Sequence, residues 1–179
     1  MRLTGVLISV SVAVVLQALL SRYTAGARWT VDLVLVGVIY AAMRWGPVAG
    51  MFAGTLGGLL QDLLAQDVVG VGGLTKTLLG FVAGAGGAQF VLVRPQARMI
   101  IVAVATLVQG VMLTGLHTLI ESADGGGQSW PGVPWTAILL QMGLNAAAAL
   151  VAFQATEVVP GAIERGRANR RASLNRRRW

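Results

Sequence analysis

The sequence predicts an all-α integral membrane protein of six transmembrane helices, and three observations lead there. Hydrophobic residues make up 55% of the 179 and charged residues only 12%, where a soluble domain has roughly 25% charged; mean hydropathy is +0.71. Six apolar stretches approach the roughly 20 residues that a span requires. Finally, Gly46, Gly50, Gly54 and Gly58 recur every fourth residue, and Asp62 continues the spacing. A helix turns about 100° per residue, so each four-residue step drifts by about 40° and the five positions form one slowly wrapping stripe. Glycine in a water-exposed helix costs about 1 kcal/mol against alanine. Within a bilayer it lets a neighbouring backbone approach closely.

The first predicted span covers residues 3–21. Ala25-Gly26-Ala27 after it resembles a signal-peptide cleavage site, but the apolar run is longer than the usual 7–15 or so, which favours an uncleaved helix. The second, 29–45, has a tryptophan at each end, Trp29 and Trp45, as interfacial belts place them. The third, 46–65, follows directly, with Pro47 in its first turn, where a missing N–H is harmless; the two form a tight helical hairpin. The fourth, 74–93, carries its own small-residue face of Gly80, Gly84 and Ala88, expected to meet the stripe of the third. Gly5, Ser9 and Ala13 of the first span offer an alternative partner. The fifth is 99–120 and the sixth 135–159. The outer loop between them, rich in glycine at 125–127, is too short for an external domain, and Trp130 and Trp135 place it against the bilayer surface.

Charge sets the orientation. With a cytoplasmic N-terminus, the inner side holds Arg2, Arg44, Arg94, Arg98 and seven tail arginines, and the outer side only Arg22, Arg28 and Lys76, a ratio of 11 to 3. Both termini are therefore expected in the cytoplasm. Asp32, Asp62, Asp67, Glu121 and Asp124 fall at or near the outer face. Of the net charge of +7, nearly all belongs to a basic cytoplasmic tail, 160–179, with Arg165, Arg167, Arg170, Arg171, Arg176, Arg177 and Arg178 against Glu164. Arginines directly after an apolar span read first as contacts to anionic lipids, each worth about 1 kcal/mol near the surface. A specific partner is the alternative, and no nucleic-acid role is expected.

Ionisable side chains inside spans are expensive and count as functional hypotheses. Asp62 and Lys76 stand out, at similar depth near the outer interface. An ion pair between them that locks the intervening loop is the expectation; separate snorkelling to headgroups and a ligand- or partner-binding role are the alternatives. His117, the single histidine, reads as a helix-end hydrogen bond rather than a metal ligand. Gln17, Gln61, Gln89, Gln109, Gln141, Asn145 and Gln154 are amides that bond across helices. No hydrolase elbow, zincin or Walker motif occurs, and Gly84 to Gly87 lies in an apolar helix with no strand before it. Cysteine is absent, which excludes disulfides and thiolate metal sites. No catalytic residue, cofactor or metal is expected.

A family resemblance runs through the same residues. Asp32-Leu33-Val34-Leu35 with Tyr40 and Ala42, then Gly46-Pro47-x-x-Gly50, then Gly58-Leu59-Leu60-Gln61-Asp62-Leu63-Leu64 resemble the rod shape-determining MreD family. Gly70-Val71-Gly72-Gly73-Leu74-x-Lys76-Thr77-Leu78-x-Gly80-Phe81 continues the match. It is closest from about Val31 to Gly86; beyond that, only character and span count agree. The resemblance implies a non-enzymatic scaffold of the bacterial inner membrane, within the cell-elongation complex that supports peptidoglycan synthesis. Its partner would be the single-span coiled-coil protein MreC and, indirectly, MreB and the RodA/PBP2 peptidoglycan synthase, and dimerisation is left open. It also implies a bundle like that of the substrate-binding S-components of energy-coupling-factor vitamin transporters, which are the alternative reading of function. The small residues of the first span suit that alternative; the scarcity of aromatics to sandwich a vitamin ring does not.

Overall fold

The structure is a computed structural model that describes residues 2–23, 31–66, 68–89, 95–123 and 132–176, with 156–176 as backbone. It consists of six helices: α1 (Arg2–Tyr23), α2 (Leu33–Trp45), α3 (Pro47–Ala65), α4 (Val71–Gln89), α5 (Pro95–Ala123) and α6 (Trp135–Arg176). There is no strand among the described residues. Polarity is inverted relative to a water-soluble bundle. Asp32, Asp62, Lys76, Gln109 and Asn145 are buried, whereas Leu7, Ile8, Leu63, Leu64, Val82, Ile100, Leu119 and Val151 face outward. Apolar surface on this scale is tolerated only against lipid or other protein.

Four helices carry stretches long and apolar enough to cross a membrane: Thr4–Tyr23, Pro47–Ala65, Gln96–Ile120 and Trp135–Ala155. The two remaining helices are of a different kind. α2 has 13 residues, about 20 Å at 1.5 Å per residue, short of the roughly 30 Å hydrocarbon core. It starts at Leu33 rather than 29 because the Asp32 carboxylate caps it, Oδ1 accepting the Leu35 N–H at 2.9 Å. α4 reaches 19 residues, but its glycines, threonines and Lys76 dilute its apolarity.

α2 is interior and is the axis of the molecule, whereas α4 buries one face and turns Leu74, Leu78, Phe81 and Val82 outward. Val34, Leu35, Val36, Val38, Ile39, Ala41 and Ala42 are all buried. One side of α2 packs with Val6, Val10 and Val14 of α1 and Ala53 of α3. The other packs with Leu79 of α4, Val102 and Ala105 of α5, and Ala149 and Phe153 of α6. At one end Tyr40 stacks on Phe153 with centroids 5.4 Å apart, and the Arg98 guanidinium covers the same ring at 5.2 Å.

A single residue, Gly46, separates α2 from α3. Its φ of 97° and ψ of 179° lie where essentially only glycine is found, and Pro47 opens the next helix. Gly46 therefore serves the turn: a Cβ there would meet nothing within 4 Å, although Gly84 approaches its backbone. Beyond it α3 and α4 run antiparallel at backbone contact. A Cβ on Gly50 would strike the Gly80 carbonyl, one on Gly54 the Lys76 carbonyl, one on Gly58 would lie 2.5 Å from Gly73 Cα, and one on Gly84 2.5 Å from Pro47 Cα. Because these neighbours are backbone, even alanine does not fit. α1 meets α2, Gly5 lying under Trp45 and Ala13 against Gly37, and reaches α3 at Gly57 through Val10 rather than at the stripe.

α6 continues beyond the predicted sixth span. It runs through 159 to Arg176, 42 residues in all, so the tail up to that point is helix. Arg177, Arg178, the side chains of the other tail arginines and the glycine-rich loop at 124–131 lie outside the described residues.

Candidate functional site

The buried polar groups gather where Asp32 caps α2. The Asp32 Oδ2 accepts from Lys76 Nζ at 2.9 Å and from Gln109 Nε2 at 2.7 Å. Its backbone N–H donates to Asn145 Oδ1 at 2.8 Å, and Asn145 Nδ2 donates to Thr106 Oγ1 at 3.0 Å. The next backbone N–H, of Leu33, donates to Gln17 Oε1 at 2.8 Å. One helix start thus ties together α1, α2, α4, α5 and α6. Residue exposures of 3% for Asp32 and 2% for Lys76 make this an ion pair cut off from solvent. At such a site the loss of either partner leaves a charge without compensation.

The expected pair of Lys76 with Asp62 is therefore corrected: Lys76 bonds Asp32. Asp62 has a different task. α4 begins after Gly70, which has no side chain to cap it, and the Asp62 Oδ2 of α3 accepts the N–H groups of Gly70, Gly72 and Gly73 at 2.9, 3.1 and 3.2 Å. Those are the cap position and the second and third residues of the helix, the last two being the donors that an ordinary N-cap side chain satisfies. The negative carboxylate also sits at the positive end of the α4 dipole. A Cβ at Gly72 would collide with Asp62, so the cap needs glycine there. This is also why α4 starts at Val71, three residues before the predicted span. One turn further along, Thr55 and Thr77 hydroxyls meet at 2.8 Å across the α3–α4 seam.

The Asp32–Lys76 pair and the Asp62 cap face a common polar cavity of about 140 Å³, lined also by Gln61, Gln109, His117 and Gln141. No group of three or more metal-ligating residues occurs among the described residues. Two mostly apolar hollows also open among the described residues. One of about 560 Å³ lies between α4 and α5, and one of about 500 Å³ lies between α1 and α3, with Gln61 and Ala65 shared with the polar cavity.

Sequence reasoning missed Asp32 as the counterion. The signal was present: an acid directly before an apolar helical run is an N-cap, and α2 and α4 both start at the same end of the bundle. Proximity in sequence drew Lys76 to Asp62, 14 residues away, rather than to Asp32, 44 residues away.

A family model, that of the rod shape-determining protein MreD, matches residues 2–149. The match takes in α1 to α5, the first part of α6 and every residue of the polar centre. No curated protein and no solved structure matches the chain.

Proposed function

Because this chain belongs to the family of the rod shape-determining protein MreD, we propose that it is a scaffold of the elongation complex that binds the coiled-coil protein MreC. The family is one of non-enzymatic, multi-pass proteins of the bacterial cytoplasmic membrane that act in rod shape determination. MreB and the RodA/PBP2 synthase would be reached through MreC. Both termini would lie in the cytoplasm, as the 11 to 3 partition of basic residues favours, with the polar cavity near the outer face and the tail arginines on anionic lipid.

One observation supports the scaffold reading above others: the interior charges are consumed in holding helices together. Lys76 is taken by Asp32, and Asp62 by the start of α4. What remains outward is apolar helix surface, suited to other membrane helices. The vitamin-transporter reading finds less support. Among the described residues no Phe, Tyr or Trp lines the polar cavity or either apolar hollow, and the polar cavity itself, at about 140 Å³, is well below the roughly 300–1,000 Å³ of small-molecule pockets.

Co-purification from the native membrane followed by mass spectrometry of proteins and small molecules tests the proposal. Recovery of a single-span coiled-coil protein, with rounding of cells on depletion, is the expected result. A stoichiometric vitamin in place of that partner would refute it.

A further inference from the structure

We propose that the polar cavity between α2, α3, α4 and α5 is a binding site for a small protonated primary amine. The proposal is independent of the scaffold reading and rests on an imbalance in the cavity wall. Gln109 is 3% exposed, and its Nε2 is spent on Asp32, yet its Oε1 is buried with no hydrogen-bond partner. Gln61 Oε1 is buried and unpartnered in the same way, and both side chains line the cavity. Buried polar groups are nearly always satisfied, and an orphaned acceptor forfeits about 1–3 kcal/mol. Two such acceptors on one cavity call for a donor.

The wall also says which donor. Its carboxyl and ammonium groups are Asp32, Asp62 and Lys76, two carboxylates against one ammonium. The lysine ammonium and the Gln109 amide N–H are already turned to Asp32, and the buried wall atoms still without a partner are the acceptors Gln61 Oε1 and Gln109 Oε1. An anion finds little to hold it, whereas an ammonium group offers N–H donors and the matching charge. The volume of about 140 Å³ equals roughly four to five waters at about 30 Å³ each, enough for an ammonium on a short carbon stem. Such a group is carried by free small amines and by ethanolamine lipid headgroups. Gln61 and Ala65 also border the larger hollow that holds Val14, Leu64 and Arg22, so a headgroup seated in that hollow would lie one side chain from the cavity.

Thermal unfolding of the full chain in maltoside micelles, followed by tryptophan fluorescence, tests the site. Methylammonium chloride is compared at equal ionic strength with sodium chloride and with tetramethylammonium chloride, which has charge but no N–H. Methylammonium is expected to raise Tm saturably, by roughly 3–6 °C at ten times its Kd, and the other two salts to leave it unchanged. Gln61→Leu, which removes an unpartnered acceptor and no hydrogen bond, should keep or raise the resting Tm and abolish the shift. Nanodiscs of phosphatidylethanolamine against phosphatidylcholine then separate the sources. A Tm gain in the former that Gln61→Leu erases assigns the headgroup, and equal Tm values assign a free amine. No methylammonium shift, an equal shift with sodium or tetramethylammonium, or a full shift retained in Gln61→Leu would each overturn the proposal, leaving a cavity filled by water alone.

Discussion

Replacing Lys76 by methionine keeps the length of the side chain and removes its charge, which isolates the ion pair that closes the centre of the bundle. At 2.9 Å the attraction to Asp32 is about 6 kcal/mol at an effective dielectric near 20. Desolvation opposes most of it, so the pair itself contributes far less than that. The single change is another matter. Asp32 stays buried, still bonded to Gln109 Nε2 and the Leu35 N–H but without its counterion, and breaking a buried pair in this way costs about 3–5 kcal/mol. Asp32→Asn strands Lys76 symmetrically, while the amide oxygen can keep the cap on α2. The double variant Asp32→Asn/Lys76→Met carries no stranded charge and should lose no more than either single one. The three variants are measured by titrating dodecylmaltoside micelles with SDS and following unfolding by circular dichroism. A coupling of about 2 kcal/mol or more between the sites is expected. Losses that add to within about 0.5 kcal/mol would show that the two charges do not depend on each other, and the reasoning would fail.

Three further outcomes follow from the backbone contacts and caps. Gly54→Ala sets a Cβ 2.6 Å from Thr77 N and closer still to the Lys76 carbonyl, so it should lose about 1–3 kcal/mol by overpacking in the same titration, whereas Gly143→Ala, with open space around it, should gain up to about 1 kcal/mol from helix propensity. Asp62→Leu removes the acceptor from three N–H groups at the start of α4 and should destabilise by at least the 1–2 kcal/mol or so of an ordinary cap. Asp62→Asn should retain most of that stability, and hydrogen exchange at Gly72 and Gly73 should rise only in the leucine variant. Gly46→Ala places a side chain at φ 97°, a strain of about 1–3 kcal/mol, although no atom blocks the space; a melting temperature equal to that of the parent chain would contradict this.

Much of the architecture is legible in the chain because the bilayer leaves so few choices. Apolar length marks the spans, and the four-residue spacing of Gly50, Gly54 and Gly58 marks a face that only backbone contact explains. The division into four long apolar helices and two others is less visible. α2 is buried by its neighbours and α4 gives one face to backbone contact with α3, so neither needs the full length or apolarity of a lipid-facing span, and no hydropathy window separates that case from a weak span. The polar centre is harder to read. Its ties run from residue 32 to 76, 109 and 145, set by which helices surround α2, and one sequence carries no direct trace of that arrangement. The cap on α4 is hidden for a related reason: Asp62 serves a helix that has not yet begun, through a loop whose only visible marks are glycines.

The distance along the chain between Asp32 and Lys76 has a consequence for biogenesis. Forty-four residues separate them, which at about 5–20 residues per second is roughly 2–9 s of synthesis. During that interval α2, with 13 helical residues and an acid without its counterion, is a poor candidate for release into lipid by itself. Gly46 joins it directly to the longer α3, so the two can leave the translocon as a hairpin. Asp32 is neutralised only when the first turns of α4 emerge. Integration of this protein is therefore a delayed-closure process, in which a ribosome stalled before residue 76 should hold an intermediate whose second helix remains at the translocon.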